Sequence, residues 1–424
     1  MRVHSHQARQ RHTRTMQTAI ADSIRHTPQG IEADAILRSC VHCGMCNATC
    51  PTYQLLGDEL DGPRGRIYLI KDMLEGGEIS RRTQTHLDRC LTCRNCETTC
   101  PSGVRYAALL DIGRSMIEQK VKRPFFERLQ RVLLCAVIPY RARFTLFLRI
   151  GQLLRPLLPP SLRRSVPPPQ TAAPWPNMAH ARRMLVLEGC VQPSLAPNIN
   201  AAAARVLDKL GIRLIAAEGA GCCGAASHHT SGMNAALDFA RRNIDAWWPH
   251  IETGCEAIAM TASGCGVHVK DYGHLLKDDP AYAARAKRVS TLTKDMGEIL
   301  AREDLSKFKA GVKRGEKVAF QSPCSLQHGQ KLNGVVEKIL RELGYTLIAV
   351  PDAHLCCGSA GTYSILQRGL SQQLLSNKLG ALQSGKPDVI ATANIGCLAH
   401  LQGGTSTPVR HWIEVVDATS GSGE

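Results

Sequence analysis

An α+α/β architecture is what this 424-residue sequence predicts: a helical domain over residues 30–118, then a duplicated α/β half over residues 181–305 and 315–415. Three observations carry the prediction. One cysteine string occurs twice, at Cys40–Pro51 and Cys90–Pro101, with helix-type apolar spacing before the first copy (IEADAILRSC) and between the two (GRIYLIKDMLEGG). Eight of the 21 residues from Pro156 to Pro176 are proline, which forbids helix and favours an extended linker. Beyond it, Cys190 precedes Cys222-Cys223-Gly224 by 32 positions, and Cys324 precedes Cys356-Cys357-Gly358 by the same 32.

The twin strings, CVHCGMCNATCP and CLTCRNCETTCP, read Cys-x2-Cys-x2-Cys-x3-Cys-Pro, the spacing of ferredoxins that carry two [4Fe–4S] clusters. Three closely spaced thiolates cap three corners of a cubane, and the fourth cysteine of each run serves the cluster of the other run. One cluster is then assigned to Cys40, Cys43, Cys46 and Cys100, the second to Cys50, Cys90, Cys93 and Cys96. The proline after each fourth cysteine is expected to bend the chain away. Zinc also takes paired Cys-x2-Cys, but has no use for four cysteines in eleven residues, twice. The 50-residue offset between the strings is longer than a compact ferredoxin needs, and helices filling it suggest the α-helical ferredoxin type.

Eighteen cysteines would suggest disulfides in a small secreted protein. No apolar signal segment opens this chain, and the metal-type spacings point to a reducing cytoplasm. Residues 1–29 form an N-terminal extension; its first fifteen residues carry no assigned role, because Met16 offers a second start.

The net charge of +16 is local: residues 1–20 and 120–164 account for fourteen of the sixteen charges. Residues 119–180 form a basic amphipathic segment and the proline-rich linker. The segment interleaves arginines with Phe and Leu, and its longest uncharged run, Val132 to Tyr140, is nine residues, too short to cross a bilayer. Such a pattern suits a helix lying on anionic lipid or a docking surface for a partner subunit. The alternative is a connector with a solvated basic face. No nucleic-acid-binding motif accompanies the charge.

In the duplicated half, each copy reads strand (MLVLEGC; KVAFQSPC), helix, strand (IRLIAA; YTLIAV), Cys-Cys-Gly loop, helix, strand (AIAMTASGC; DVIATANIGC). Alternation of this kind implies parallel sheets, with the cysteines at the carboxyl edge where open α/β sheets bind ligands. Cys190, Cys222, Cys223 and Cys265 are expected to converge there, and so are Cys324, Cys356, Cys357 and Cys397, to hold a further cluster or a redox site. The bland reading is small thiols packed near a glycine turn. His268 and His400 each follow the last cysteine of their copy by three residues, as a ligand, a proton donor or an ordinary loop residue. Gly219-Ala-Gly221-Cys-Cys-Gly224 matches a dinucleotide fingerprint literally, but the second copy keeps the cysteines and loses two glycines, so no pyrophosphate cradle is expected. Cys135 and Cys255 have no repeat partners and read as structural.

Two ferredoxin motifs followed by two Cys-Cys-Gly modules resemble the electron-transfer subunits of flavin-linked dehydrogenases, such as heterodisulfide reductase, anaerobic glycerol-3-phosphate dehydrogenase and lactate-utilisation proteins. The strings EADAILRSCVHCGMCNATCPTYQLLGDELDGPRGRIYLIKDMLEGGE, HLDRCLTCRNCETTCPSGVRY, RNIDAWWP, HLCCGSAGTY and VRHWIE are similar to the iron–sulfur subunits of bacterial glycolate oxidase (glycolate dehydrogenase). That resemblance implies a chain with no substrate site of its own. It would relay electrons from separate FAD-containing subunits, which oxidise glycolate to glyoxylate, to quinone or another membrane acceptor, at the inner face of the cytoplasmic membrane. The same machine for D-lactate or glycerol 3-phosphate, and a non-redox scaffold built on clusters, are the alternatives. Related modules often end in Cys-x2-Cys; both copies here end in Cys-x2-His, which puts the extra cluster in question.

Overall fold

The computed structural model describes residues 15–159, 163, 166–311 and 315–419. The arginine-rich start of the N-terminal extension (1–14) and part of the proline-rich linker (160–162, 164 and 165) lie outside the described residues. The chain divides into two compact units, one holding residues up to Asp88 together with Cys96–Val121, the other Arg89–Asn95 together with everything from Lys122 onward.

The first unit is helical throughout. Thr27 caps the helix Pro28–Ser39, its Oγ1 accepting the Gly30 N–H at 3.0 Å, with proline at the first position. The helices Pro63–Leu74 and Tyr106–Lys120 pack closely, because a Cβ on Gly113 would sit 2.7 Å from Ile70 Cγ1. Leu37, Ile70, Leu74, Leu87, Leu109 and Leu110 are buried between them and their neighbours. Pro51 does not bend the chain away; it opens the helix Pro51–Leu56, where a missing N–H costs nothing.

The second unit contains two four-stranded parallel sheets. In the first copy β1 (Arg182–Val186), β2 (Ile212–Ala216), β3 (Ile258–Met260) and β4 (Thr293–Asp295) lie in the order β2-β1-β3-β4. In the second, β5 (Lys317–Gln321), β6 (Thr346–Leu347), β7 (Val389–Thr392) and β8 (Val409–His411) repeat it as β6-β5-β7-β8. β1 is covered on both faces: Met184 and Val186 join one apolar core, Leu185 and the following Leu187 another. The former core runs through both copies, joining Val186 and Ile199 to Phe320, Ile390 and Trp412. Polar contacts also tie the copies together. Ser263 N–H donates to Ala393 O at 3.1 Å, and His411 Nε2 lies 2.7 Å from Thr261 O.

The predicted strand YTLIAV shrinks to Thr346–Leu347. The edge strands β4 and β8 are three residues each, too short to register as periodicity. The basic segment forms two helices, Phe125–Val137 and Arg141–Leu154, neither of which buries a single residue. They and the Tyr140 between them touch the first copy through Cys135 Sγ and Thr230 Oγ1 (2.9 Å), Arg141 and Glu188 (3.1 Å), and the Tyr140 and Phe239 rings (5.7 Å).

Candidate metal centres

In the first unit Cys40, Cys43, Cys46 and Cys100 line one cavity, together with Cys96 and the apolar side chains of Pro63, Ile67 and Val104. Burial, reinforced by Cys40, Cys100 and Cys43, pushes the Cys46 thiol up to about 11. Cys40 is raised by burial, although a backbone bond involving His42 works against it. Thiols crowded into a dry pocket resist becoming anions unless a positive centre joins them. A donor set of four sulfurs in apolar surroundings fits an iron–sulfur cluster.

The two motifs wind alike. His42 and Gly44 have φ of 54° and 79°; the matching Thr92 and Arg94 have 54° and 60°. For a β-branched threonine this left-handed conformation costs about 1–3 kcal/mol, so the loop is held by what surrounds it and what it binds. Thr92 N–H donates to Cys90 Sγ at 3.4 Å.

Of the second predicted set, Cys50 and Cys96 belong to the first unit and Cys90 and Cys93 to the second. Cys50 Sγ lies 3.3 Å from Thr52 Oγ1, at the edge of a buried polar network that sequence reading missed. There Arg66 donates from Nη1 and Nη2 to Thr52 Oγ1 at 3.2 Å, and from Nε to His86 O at 2.8 Å. Asp61 lies 3.5 Å from Arg66 and 3.0 Å from His86 Nδ1. In the second unit Cys93 is a hydrogen-bond neighbour of Cys324.

Both Cys-Cys-Gly copies gather their thiols. In the first, Cys222 hydrogen-bonds with Cys190 and Cys223, and Cys223 with Cys265. Those bonds from Cys190 and Cys223 hold Cys222 down to about 4, and Gly224 N–H donates to its Sγ at 3.4 Å. In the second, Cys324 pairs with Cys356 and Cys357 with Cys397. The Cys324 bond pulls Cys356 down, but Cys357 and burial outweigh it and leave the thiol up at about 12. The literal fingerprint at 219–224 is spent on positioning Cys222 and Cys223. Cys135 and Cys255 sit apart from both groups, the latter donating to Ala257 O at 3.2 Å.

Two domain families match the chain. A "4Fe-4S dicluster domain" covers residues 36–104, and a "Cysteine-rich domain" covers residues 184–270 and again 318–402. Over 403 residues the chain is 58% identical to the glycolate oxidase iron–sulfur subunit of Escherichia coli (strain K12), covering 95% of this chain and 98% of that one. The chain belongs to the family of glycolate oxidase iron–sulfur subunits. A probable glycolate oxidase iron–sulfur subunit of Bacillus subtilis (strain 168) is 30% identical, with 86% and 88% covered. The similarity extends to lactate utilization protein A of Bacillus velezensis, 28% identical over 50% of this chain and 88% of that protein. This iron–sulfur subunit therefore carries a domain of the [4Fe–4S] dicluster type ahead of its duplicated cysteine-rich half.

Proposed function

We propose that this iron–sulfur subunit is the electron relay of a glycolate-oxidising complex. It takes electrons from FAD-containing subunits that convert glycolate to glyoxylate and delivers them to quinone. The observation that carries the reading is the gathering of thiols from both ferredoxin motifs, Cys40, Cys43, Cys46 and Cys100, in one cavity, in a chain 58% identical to a glycolate oxidase iron–sulfur subunit. When bound, each [4Fe–4S] cluster accepts and releases one electron at a time, matching a two-electron flavin donor to a one-electron path.

The residues have divided roles. Cys40, Cys43, Cys46 and Cys100 hold one cluster and Cys50, Cys90, Cys93 and Cys96 the other, within an α-helical ferredoxin-type domain spanning 30–118. The cysteine-rich modules occupy 181–305 and 315–415. Arg66, paired with Asp61, donates to Thr52, which donates in turn to Asp61 O at 2.8 Å, and this buried network fixes the backbone beside Cys50.

The chain works at the inner membrane face. No helix among the described residues is long and apolar enough to cross a membrane. The helices Phe125–Val137 and Arg141–Leu154 instead leave Phe125, Phe126, Phe147 and Leu153 exposed beside arginines, as an interfacial surface requires.

The test is electron paramagnetic resonance on the anaerobically purified complex, before and after glycolate, with D-lactate and glycerol 3-phosphate as parallel additions. Reduction of the cluster signals by glycolate is expected. Silence with glycolate but reduction by one of the others would keep the relay and replace the substrate. Silence with all three would overturn the relay.

A further inference from the structure

Both cysteine-rich copies bring four thiols together, so thiols alone do not distinguish them; the histidine that follows does. His268 lies on the helix Ser263–Lys270 three residues after Cys265, on the same face. It is only 4% exposed, and its Nε2 has no hydrogen-bond partner. That atom faces the cysteine turn: a Cβ on Gly224 would lie 3.4 Å from it. A buried ring nitrogen left unpaired is costly, and such groups in native structures call for an unseen ion or ligand.

The second copy shows how the same nitrogen is satisfied when no ligand is needed. His400 follows Cys397 by three residues, and its Nε2 pairs with Ser371 Oγ at 3.3 Å, while Ser371 Oγ also donates to Gly358 O at 2.8 Å. Ser371 corresponds to Ala236: a Cβ on Gly358 would first meet Ser371 O at 2.5 Å, and one on Gly224 would first meet Ala236 O at 2.9 Å. The first copy thus lacks the hydroxyl that closes off the imidazole. Seven residues further along each helix the copies differ again. The second buries Lys378, whose ammonium donates to Ala353 O at 2.9 Å and lies close enough to Cys324, Cys356, Cys357 and Cys397 for their charges to act on it. The first has neutral Asn243, donating to Cys222 O at 2.8 Å. The cation of the first copy is instead Arg242, one residue before Asn243: a Cβ on Gly221 would lie 2.9 Å from its Nη2, and its charge acts on Cys222.

We propose that the first cysteine-rich copy, and not the second, holds an additional iron–sulfur cluster, bound by Cys190, Cys222, Cys223 and Cys265 and by Nε2 of His268. Five donors exceed the four that a single tetrahedral ion takes, which favours a multi-iron centre over zinc. An imidazole in place of a thiolate on iron raises the centre's potential. The assignment is independent of which 2-hydroxy acid or polyol phosphate the complex oxidises.

The experiment uses the full chain in its complex, purified without oxygen, with iron and sulfide counted and the reduced centres probed by pulsed electron paramagnetic resonance for nitrogen coupling. Iron clearly above the roughly eight atoms of two cubanes, with a nitrogen-coupled signal, is expected for the wild type. Cys222→Ser should return the count to about eight, Cys356→Ser should leave it unchanged, and His268→Gln should abolish the nitrogen coupling. Ala236→Ser, which removes nothing and adds the hydroxyl that the second copy uses, should weaken that coupling in a protein that still carries both cubane signals. The proposal is overturned by a wild-type count near eight, by extra iron lost in Cys356→Ser instead of Cys222→Ser, by extra iron without nitrogen coupling, or by zinc in place of it. None of these outcomes touches the two ferredoxin-type clusters, so a failure here is separable from a failure of the relay.

Discussion

The two cysteine-rich copies share strand order, a 32-residue cysteine offset and a glycine with φ near 90° at the thiol turn, yet the side chains around their thiols differ. Cys190 and Cys223 are pushed up as Cys324 and Cys356 are, and Cys222 is held down by the hydrogen bonds of Cys190 and Cys223. Parallel-sheet topology brings the cysteines together in both copies. Side chains on the helix after the turn, Ala236 and Asn243 against Ser371 and Lys378, then decide what surrounds those thiols. Duplication copied the scaffold, and divergence of a few buried polar groups separated the two sites.

The largest effect that would sharpen this comparison lies at the turn glycines. Gly224 and Gly358 have φ of 93° and 87°, so any side chain is strained in either. The space differs, however: a Cβ at Gly358 would lie 2.5 Å from Ser371 O and 3.0 Å from Leu374 Cβ, against 2.9 Å from Ala236 O at Gly224. Gly358→Ala is expected to destabilise the second unit by about 4 kcal/mol and Gly224→Ala by about 2 kcal/mol. Urea unfolding midpoints of the two variants check this. Equal shifts would mean that the turns relax alike and that the closer packing of the second copy is not rigid.

The copies also end on matching capping boxes with opposite chemistry. Asp295 with Glu298 closes the first, His411 with Glu414 the second. Burial depresses His411 to about 4 from 6.5, against the bonds to Thr261 and Ala393 that raise it. A folded-state value below the unfolded one means stability that is present above about pH 6.5 and lost as pH falls through 4, amounting to about 3 kcal/mol. Burial raises Asp295 to about 7 from 3.8, and there the sign reverses: its contribution is present below 3.8 and lost as pH rises through 7. Melting temperature measured from pH 7.5 to 5 should therefore fall less steeply in His411→Asn than in the wild type, and Asp295→Asn should gain on the wild type towards pH 8. Parallel curves for His411→Asn and the wild type would show that the ring titrates alike in the folded and unfolded chain.

Much of this was legible in the sequence, because spacing encodes topology. The helical first domain, the two α/β copies and the convergence of their cysteines all follow from motif offsets and apolar period. What was not legible depends on contacts between residues far apart in the chain. The Arg66–Asp61–His86 network joins three elements, and nothing in RGRIYLI marks its arginine as buried. Ser371 and Ala236 stand out only once the glycine turns are superimposed in space, since the repeat spacing shifts by one residue between turn and helix. The grouping of Arg89–Asn95 with the second unit has no local signal either, because a cysteine motif reads the same whichever unit its loop belongs to.

A smaller effect is expected from the buried cation. Lys378 is 3% exposed and donates to Asp352 O at 3.2 Å as well as to Ala353 O. Lys378→Met keeps the stem's packing and strands two carbonyl groups, for a loss of about 2 kcal/mol. If the ammonium also stabilises thiolates in the second copy, alkylation of that copy's cysteines at pH 8 should slow in the variant while the first copy is unaffected. Unchanged alkylation in both copies would leave Lys378 a purely structural group and weaken the contrast drawn with Asn243.

The smallest change is the one that makes the second copy most like the first. Ser371→Ala removes one hydroxyl, with its bonds to Gly358 O and His400 Nε2, and should cost about 1 kcal/mol. His400 is less enclosed than His268, so its released nitrogen can turn to water and the variant should fold normally. Chain-resolved iron analysis then isolates the contribution of the neighbours: with Lys378 still in place, Ser371→Ala alone should not load the second copy with metal. The double variant Ser371→Ala, Lys378→Asn reproduces both features of the first copy, a free imidazole and a neutral side chain in the place of Asn243. Iron gained by the double variant and by neither single one would show that these two positions, and not the eight shared cysteines, separate the sites.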